Sequence, residues 1–356
     1  MTGAGDLCFV ISADYARRTG GWIYDRRLLQ ELRGRGWRIE EAILPAGFPQ
    51  PSATARARAA AVFRAIPDGR VVLVDQLCLG VLPEVARAEG RRLRLVMIVH
   101  HPLALEGYAS AEERTRIQRC EQEALSHVAA VIVSSPNTAR ALVLDYAVSA
   151  DRIIIAIPGS ERRALARGSG GRVPNLLSVG ALVPRKDHAL LLRALAGLRH
   201  LPWRLQLVGN VTRAPQHVGR LRGIIGACGL AGRVSLRGEL PEHRLLRLWL
   251  GADLYVSASR HEGYGMALAE AFAHGIPVVS TYAGAAGAWV GRRGARLVRG
   301  DSVASLRAAL GEVLGSSALR AALQVGARAR RPSLPRWQAT AGSVDRRLRQ
   351  LLESRS

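Results

Sequence analysis

Short apolar runs alternate with segments of helical periodicity along the first 160 residues. Apolar residues at i, i+3 and i+4 predict amphipathic helices, and apolar runs of about four to eight residues predict buried strands. The predicted strands are 7–11, 71–74, 93–99, 128–133 and 152–155, and the predicted helices are 22–33, 53–65, 112–125 and 138–146. This order of strands and helices predicts a parallel sheet with helices on both faces.

The same alternation begins again after a glycine-rich break. Residues 161–174 (ERRALARGSGGRVP) interrupt all periodicity, and we predict that they form an interdomain linker. The fold class is therefore α/β, with two doubly wound parallel-sheet domains at 1–160 and 175–335 and a last helical pattern in 336–356. In the second half the predicted strands are 176–179, 204–208, 234–237, 254–257 and 277–280, and the predicted helices are 188–198, 218–228, 242–249, 265–274, 303–314 and 318–329.

Composition limits the class of protein. The 356 residues are 48% hydrophobic, which fits two globular cores and argues against disorder. There is no charged-then-apolar leader and no apolar run near 18 residues, so we expect a cytoplasmic protein without a membrane span. Four cysteines have no paired spacing, and we expect buried thiols with neither disulfide nor metal. They are Cys8, Cys78, Cys120 and Cys228.

The net charge of +23 has two open interpretations. Lys186 is the one lysine, and the other 50 of the 51 basic residues are arginine, which suggests a coding bias that produces a solvated basic surface. The alternative is attraction to a polyanion, an acidic lipid surface or a phosphorylated ligand. A non-catalytic nucleic-acid-binding module fits the charge. However, aromatic residues are 5% and the arginines form no single stripe, so we expect no specific nucleic-acid partner.

Candidate chemistry lies just after predicted strands, because doubly wound sheets bind ligands at the carboxyl ends of their strands. Arg185 and Lys186 follow strand 176–179 and precede a helix. Two cations beside a helix N-terminus suit a diphosphate, while an ordinary solvated loop is the competing interpretation.

The stretch RHEGYGMALAEAFAHGIPVVST (260–281) follows strand 254–257. Glu262 lies in the loop, Gly263 and Gly265 lie at the corner, and Glu270 falls about a turn and a half into the helix. The glycines allow close approach of a ligand to the backbone. Glu270 shares a helix face with alanines, so it should have a partner, for which a ribose diol would serve. The alternative is a solvent-facing glutamate.

Two features of the first half are weaker. Gly20 and Gly21 stand at a predicted helix start, where a glycine pair usually indicates only a turn. His100 and His101 stand at the end of strand 93–99, where a histidine either serves a site or caps the core.

Together these segments resemble the retaining glycosyltransferases of family 4, which have the GT-B architecture of two Rossmann-like domains facing across a cleft. Glu262 and Glu270 match the family's E-x7-E signature within S-x-x-E-G-x-G-x-x-x-x-E-A-x-A-x-G-x-P-V-V. VGALVPRKDH is similar to its V-G-x-x-x-x-R-K-G-x segment, TGGWIYDRRLLQEL to its Gly-Gly segment, SSPNTARAL to its S-x-x-T-A helix start, and VHH to its strand-end histidine.

The resemblance implies a role for each matched residue. Arg185 and Lys186 would bind the donor diphosphate, Glu262 would contact the transferred sugar, and Glu270 would hold the nucleotide ribose. Gly20 and Gly21 would let the first domain close over the phosphates, and His100 would lie beside the reacting sugar. The last helix would return to the first domain. The backbone amides that would contact sugar and phosphate are those of Gly263, Tyr264, Gly265, Met266 and Ala267.

The implied reaction is hexosyl transfer from a UDP- or GDP-linked donor, assisted by the leaving phosphate. The sequence has no Asp-x-Asp, and we expect no metal and no cofactor beyond the donor. The acceptor stays open between a membrane glycolipid or polysaccharide precursor, with the protein at the acidic inner membrane face, and a small metabolite such as a pterin. The alternative enzyme is a sugar-nucleotide epimerase of the same fold. Two positions depart from the family, since Asp187 replaces a glycine and Ala288 replaces a glutamate.

Overall fold

A computed structural model describes residues 5–16, 19–106, 110–299 and 302–353. These residues form two compact units, one made of the residues up to Gly159 together with those from Pro335 onward, and the other of Ser160–Leu334. Each unit contains one six-stranded sheet in which every described strand pair is parallel. The α/β class predicted from the alternating pattern is confirmed.

The sheet of the first unit has the strand order β2-β1-β3-β4-β5-β6. The four central strands of this sheet are almost entirely buried, because helices on both faces remove water from them, whereas the two edge strands are partly exposed. The strands are β1 Asp6–Ser12, β2 Arg38–Leu44, β3 Val71–Asp75, β4 Arg94–Val99, β5 Ala130–Val133 and β6 Ile153–Ile155. The helices are α1 Gly20–Gly34, α2 Ala53–Arg64, α3 Gln76–Leu79, α4 Pro83–Glu89, α5 Ala111–Ser126 and α6 Pro136–Tyr146.

The sheet of the second unit has the strand order β12-β11-β10-β7-β8-β9. Successive residues of β10 pack on opposite faces, since Leu254 and Val256 join one core cluster and Tyr255 joins the other. The strands are β7 Asn175–Val179, β8 Arg204–Val208, β9 Val234–Leu236, β10 Leu254–Ser257, β11 Val278–Thr281 and β12 Ala295–Val298. The helices are α7 His188–Ala196, α8 Pro215–Ala227, α9 Glu242–Leu250, α10 Met266–Ala273, α11 Gly284–Val290, α12 Val303–Gly315 and α13 Ser317–Arg330.

The last helix, α14 (Trp337–Glu353), belongs to the first unit. Trp37 donates its indole N–H to Asp345 at 2.7 Å, and the Thr340 hydroxyl donates to the carbonyl of Ile157 at 2.6 Å. Trp337 packs edge-on against Tyr24 of α1. These contacts fix α14 on the first unit, whose last strand, β6, ends at Ile155.

Residues 161–174 differ from a free linker. They contain neither helix nor strand, but they lie against the second unit. The backbone N–H of Ala166 donates to the carbonyl of His274, and that of Arg167 donates to the carbonyl of Leu250. Backbone hydrogen bonds therefore hold this segment on the second unit.

The exposure of the cysteines differs in part from the prediction. Cys8 and Cys78 are buried, whereas Cys120 and Cys228 are half-buried, so the prediction of buried thiols is wrong for the latter two. All four thiols are free.

Among the residues described, no helix combines the length with the apolar character that crossing a bilayer requires.

Candidate active site

The corner between β10 and α10 depends on Gly265. This residue precedes α10 with φ +91°, in the left-handed region that side chains disfavour. A Cβ placed there would lie 2.9 Å from Leu268 Cδ1 and 3.2 Å from Ala286 Cβ. A glycine at this position has no side chain with which to cap the helix, so the first amides of α10 keep the N-terminal partial charge for a ligand.

Lys186 and Glu262 meet in the second unit, although 76 positions separate them. Lys186 Nζ lies 2.6 Å from Glu262 Oε1, and the Ser259 hydroxyl donates to the same oxygen at 2.6 Å. Arg185 Nη1 lies 3.8 Å from Glu262 Oε2 and donates to the carbonyl of His261 at 2.8 Å. The cation pair after β7 and the carboxylate after β10 therefore form one cluster. Both segments follow strands that are neighbours in the sheet.

The Glu262 carboxylate stays ionised in this cluster. Burial raises its pKa, but the charges of Lys186 and Arg185 and the hydrogen bonds from Lys186 and Ser259 outweigh burial and lower the pKa to about 2. The side chains of Lys186 and Glu262 keep 17% and 12% of their surface exposed. The cluster is thus a desolvated ion pair that an anionic ligand can still reach.

Asp187 occupies a backbone conformation that explains the family's glycine. Its φ is +41°, and its carboxylate caps α7 by accepting the Leu190 backbone N–H at 3.2 Å. The other oxygen lies 2.8 Å from Arg260 Nε. Aspartate is one of the few residues that tolerate left-handed φ. The Asp187 carboxylate is therefore engaged with the N-terminus of α7 and with Arg260.

Glu270 has the partners that its position on a half-buried helix face predicts. Its Oε1 lies 3.1 Å from Arg163 Nε and 3.8 Å from His274 Nε2. Burial raises its pKa, and the contacts with His274 and Arg163 outweigh burial and lower it. His274 is fully buried and stacks on Trp249 at 5.6 Å. Glu270 is therefore a held carboxylate with 34% of its side chain exposed.

The segment 281–290 (TYAGAAGAWV), for which the sequence predicted no helix, contains helix α11. Trp289 of α11 stacks on the Tyr264 ring at 5.0 Å, and its indole N–H donates to the Tyr264 carbonyl at 2.7 Å. Arg330 donates to the Trp289 carbonyl at 2.7 Å. These contacts hold the glycine corner rigid. Ala288 is exposed on the same helix, where the resembling family has a glutamate.

In the first unit, His100 lies against two buried aspartates. Its Nε2 is 3.4 Å from Asp25 Oδ1 in α1 and 3.4 Å from Asp75 Oδ2 at the end of β3. A Cβ on Gly21 would lie 3.0 Å from the His100 ring, so the second glycine of the pair lets the ring pack on the first turn of α1. Helix α1 starts at Gly20. Thr19 caps it, because its side chain accepts the Trp22 backbone N–H.

The two carboxylates beside His100 favour the protonated form of its ring. Burial alone lowers its pKa, but the Asp25 and Asp75 carboxylates outweigh burial and raise it to about 10. Ligand atoms of the three side chains lie within 4.8 Å of one another, a spacing that is compatible with a metal ion as well. When His100 is protonated, it forms one ion pair with Asp25 and another with Asp75.

The sequence did not indicate Asp25, Asp75 or Arg163, and it included Ser259 only as the first residue of the matched signature, without a role. Asp75 directly follows a predicted strand, so its position at a strand end could have identified it. Asp25 lies on the buried face of α1, and Arg163 lies in the supposed linker. Neither position has a local pattern that indicates its partner.

Comparison with known proteins identifies the family. Residues 173–316 match the family model described as glycosyl transferases group 1. The MMP alpha-(1->4)-mannosyltransferase of Mycolicibacterium hassiacum is 30% identical over 316 residues, which cover 84% of this chain and 75% of that protein. The chain belongs to the group 1 glycosyltransferases, family 4. A D-inositol 3-phosphate glycosyltransferase of Nocardia farcinica is 31% identical over 63% of this chain and 54% of its own length. The chain thus spans about half of that relative.

Solved structures show that this glycosyltransferase has the GT-B fold. Sucrose-phosphate synthase from Thermosynechococcus elongatus superposes with a TM-score of 0.82 at 19% identity, covering 98% of this chain and 100% of that one. Alr3699/HepE of Anabaena, solved in complex with UDP and glucose, superposes with a TM-score of 0.77 at 16% identity, covering 97% and 100%. The architecture expected from the resemblance is confirmed.

Proposed function

We propose that this glycosyltransferase moves a hexosyl group from a nucleotide-diphosphate sugar to an acceptor, with retention of configuration at the anomeric carbon. The observation that supports this most is the cluster of Lys186, Arg185 and Glu262 beside the α10 N-terminus. Alr3699/HepE, which shares the fold and was solved in complex with UDP-glucose, supports a nucleotide-sugar donor.

The reaction needs positive charge where the donor breaks. Cleavage of the bond between the sugar and the diphosphate leaves an oxocarbenium-like carbon and a diphosphate that gains negative charge. Lys186, Arg185 and the first amides of α10 would stabilise that diphosphate, and they are held in place before the reaction begins. Glu262 would contact hydroxyls of the transferred sugar. The departing phosphate would assist the acceptor's attack on the same face, so no carboxylate nucleophile is needed.

The acceptor is proposed only by class. The Nocardia relative's name specifies a small phosphorylated polyol, which favours a small polar acceptor over a membrane glycolipid. Donor and acceptor can be found together by incubating the protein with UDP- and GDP-hexoses and fractionated cell extract. We expect release of the nucleoside diphosphate and one new hexosylated product by mass spectrometry. Failure of every donor to react, while the folded protein binds none of the nucleotides, would contradict the proposal.

Activity is expected to persist without a divalent cation. The side chains of Lys186 and Arg185 can balance the charge of the leaving diphosphate, as a metal ion does in other transferases. Transfer rates should be equal, within about twofold, in EDTA and in added magnesium or manganese. Complete loss of turnover in EDTA that manganese restores would contradict this expectation.

Replacing Glu270 with alanine should weaken donor binding more than it slows transfer. A ribose contact is made equally in the ground state and the transition state, so its loss raises KM and leaves kcat nearly unchanged. Hydrogen bonds to charged groups are worth about 1.5–3 kcal/mol, which corresponds to roughly 10–100-fold in KM. Glu312→Ala, which removes an exposed carboxylate of α12 in the same unit, is the control and should leave KM unchanged. An unchanged KM in Glu270→Ala would refute the ribose assignment.

A further inference from the structure

Asp25 has no part in the site that the family resemblance implies, yet it is fully buried. It lies on α1 one turn after Gly21, with its Oδ1 3.4 Å from His100 Nε2. A carboxylate without exposed surface loses its hydration, so a charged partner is needed to offset the cost. The geometry supplies His100 as such a partner.

The edge of the His100 ring that carries Nε2 is less exposed than the rest of the side chain. Nε2 is buried, whereas the side chain as a whole keeps 16% of its surface exposed. The exposed surface therefore belongs to the remaining side-chain atoms of His100, which follows β4. Tyr24 lies edge-on at 5.3 Å between ring centroids, and Gly21 packs against the ring, so both limit its rotation. The charged groups facing Nε2 are Asp25 from α1 and Asp75 from β3.

Asp75 already has a second task, because its Oδ1 accepts the Leu77 backbone N–H and caps α3. We propose that Asp25 is a positioning residue for His100: it holds Nε2 turned into the unit, so that the opposite edge of the ring, with Nδ1–H, is presented as a fixed hydrogen-bond donor to a substrate oxygen. The ring orientation stands on the geometry alone. The catalytic consequence rests on the proposed transfer reaction.

The first test observes the ring without relying on activity. In protein with 15N-labelled histidine, the signal lost in His100→Asn identifies His100. We expect that signal to be an imidazolium at pH 8, and Asp25→Asn should lower its titration midpoint by about one pH unit or more. Glu31→Gln is the control and should change nothing, since Glu31 lies on α1 like Asp25 but its carboxylate accepts only an exposed hydrogen bond from Gln338 of α14. A neutral His100 at pH 8, a midpoint unaffected by Asp25→Asn, or stoichiometric metal lost in Asp25→Asn would each overturn the proposal.

The second test is a double-mutant cycle on transfer. Misplacement of a reacting-centre donor costs about 100-fold in rate, so Asp25→Asn should lower kcat by that order and leave the donor KM nearly unchanged. In the His100→Asn background, Asp25→Asn should cost nothing further, because it acts through the ring. Additive losses of kcat would overturn the proposal. Thermal unfolding of each variant shows whether a loss of kcat comes instead from misfolding. If the parent transfers no sugar, the proposed function fails, and the ring spectrum alone still decides the orientation.

Discussion

Lys186→Ala is expected to lower the rate of sugar transfer about 10²–10³-fold, the cost typical of losing one preorganised group that stabilises developing charge. Nζ lies in the cluster with Glu262, and the diphosphate that departs gains negative charge as the bond breaks. Lys186 therefore stabilises the transition state more than it stabilises the bound donor, so kcat should fall more than KM rises.

Lys186→Arg tests whether charge alone is sufficient. Lysine is a compact point charge, whereas arginine is a planar fork on a different stem. Within the cluster, Gly180 allows the approach of the lysine stem, since a Cβ there would lie 3.3 Å from Lys186 Cε. We therefore expect incomplete rescue, with a rate between those of Lys186→Ala and the parent.

Arg193→Ala is the matched control for loss of a cation, because this exposed arginine lies on α7 just beyond the cluster. It should transfer sugar at the parent rate. Steady-state kinetics and nucleoside diphosphate affinity for the three variants decide the matter. A Lys186→Ala variant with the parent rate would show that Lys186 does not act on the diphosphate, and that the single lysine among 51 basic residues is an accident of composition.

The periodicity of the chain was sufficient to predict the architecture, because strands buried on both faces are continuous apolar runs. The strands that were missed, β2 and β12, lack that property. The short helices α3, α4 and α11 were missed as well. Strand β2 lies at a sheet edge and has mostly polar or exposed residues, including Glu40, Glu41 and an exposed Ile43. Helix α11 contains two glycines, which disfavour helices. Within this helix Gly287 packs so closely on the Tyr282 ring that a Cβ there would lie 2.5 Å away, so the position requires glycine.

The residues of the candidate site also divide into those that the sequence could predict and those that it could not. Positions after strands in the second unit could be predicted, because a loop glycine such as Gly265 has a backbone requirement that is visible in the sequence. The contact of Lys186 with Glu262 could be anticipated only from the family, since no local rule places β7 beside β10. Asp25 could not be predicted at all. Its role depends on α1, β3 and β4 converging on one ring, and no segment of the sequence contains that information.

Glu262→Gln is expected to reduce both stability and transfer while sparing nucleotide affinity. The substitution leaves Lys186 and Arg185 beside each other without their shared anion. Removing one partner of a buried pair costs about 3–5 kcal/mol, and the residual exposure of this pair places the loss near the lower end. The freed cations still attract a diphosphate, so the Kd of UDP or GDP should rise less than about threefold. The lost sugar contact and the displaced Lys186 should lower kcat/KM by roughly 100-fold.

The pH dependence gives this prediction a separate check. The folded pKa of Glu262 is about 2, below the ordinary value of 4.5, so its stabilisation is fully present above pH 4.5 and is lost as pH falls through 2. The difference in unfolding free energy between parent and Glu262→Gln should therefore be constant from pH 7 to 5 and shrink below 4.5. Glu312→Gln, whose carboxylate pairs with Arg296 at the exposed surface, should show almost no difference at any pH. A Glu262→Gln variant as stable as the parent at pH 7, or one whose nucleotide affinity falls in parallel with kcat/KM, would show that Glu262 is not the anion that organises the two cations.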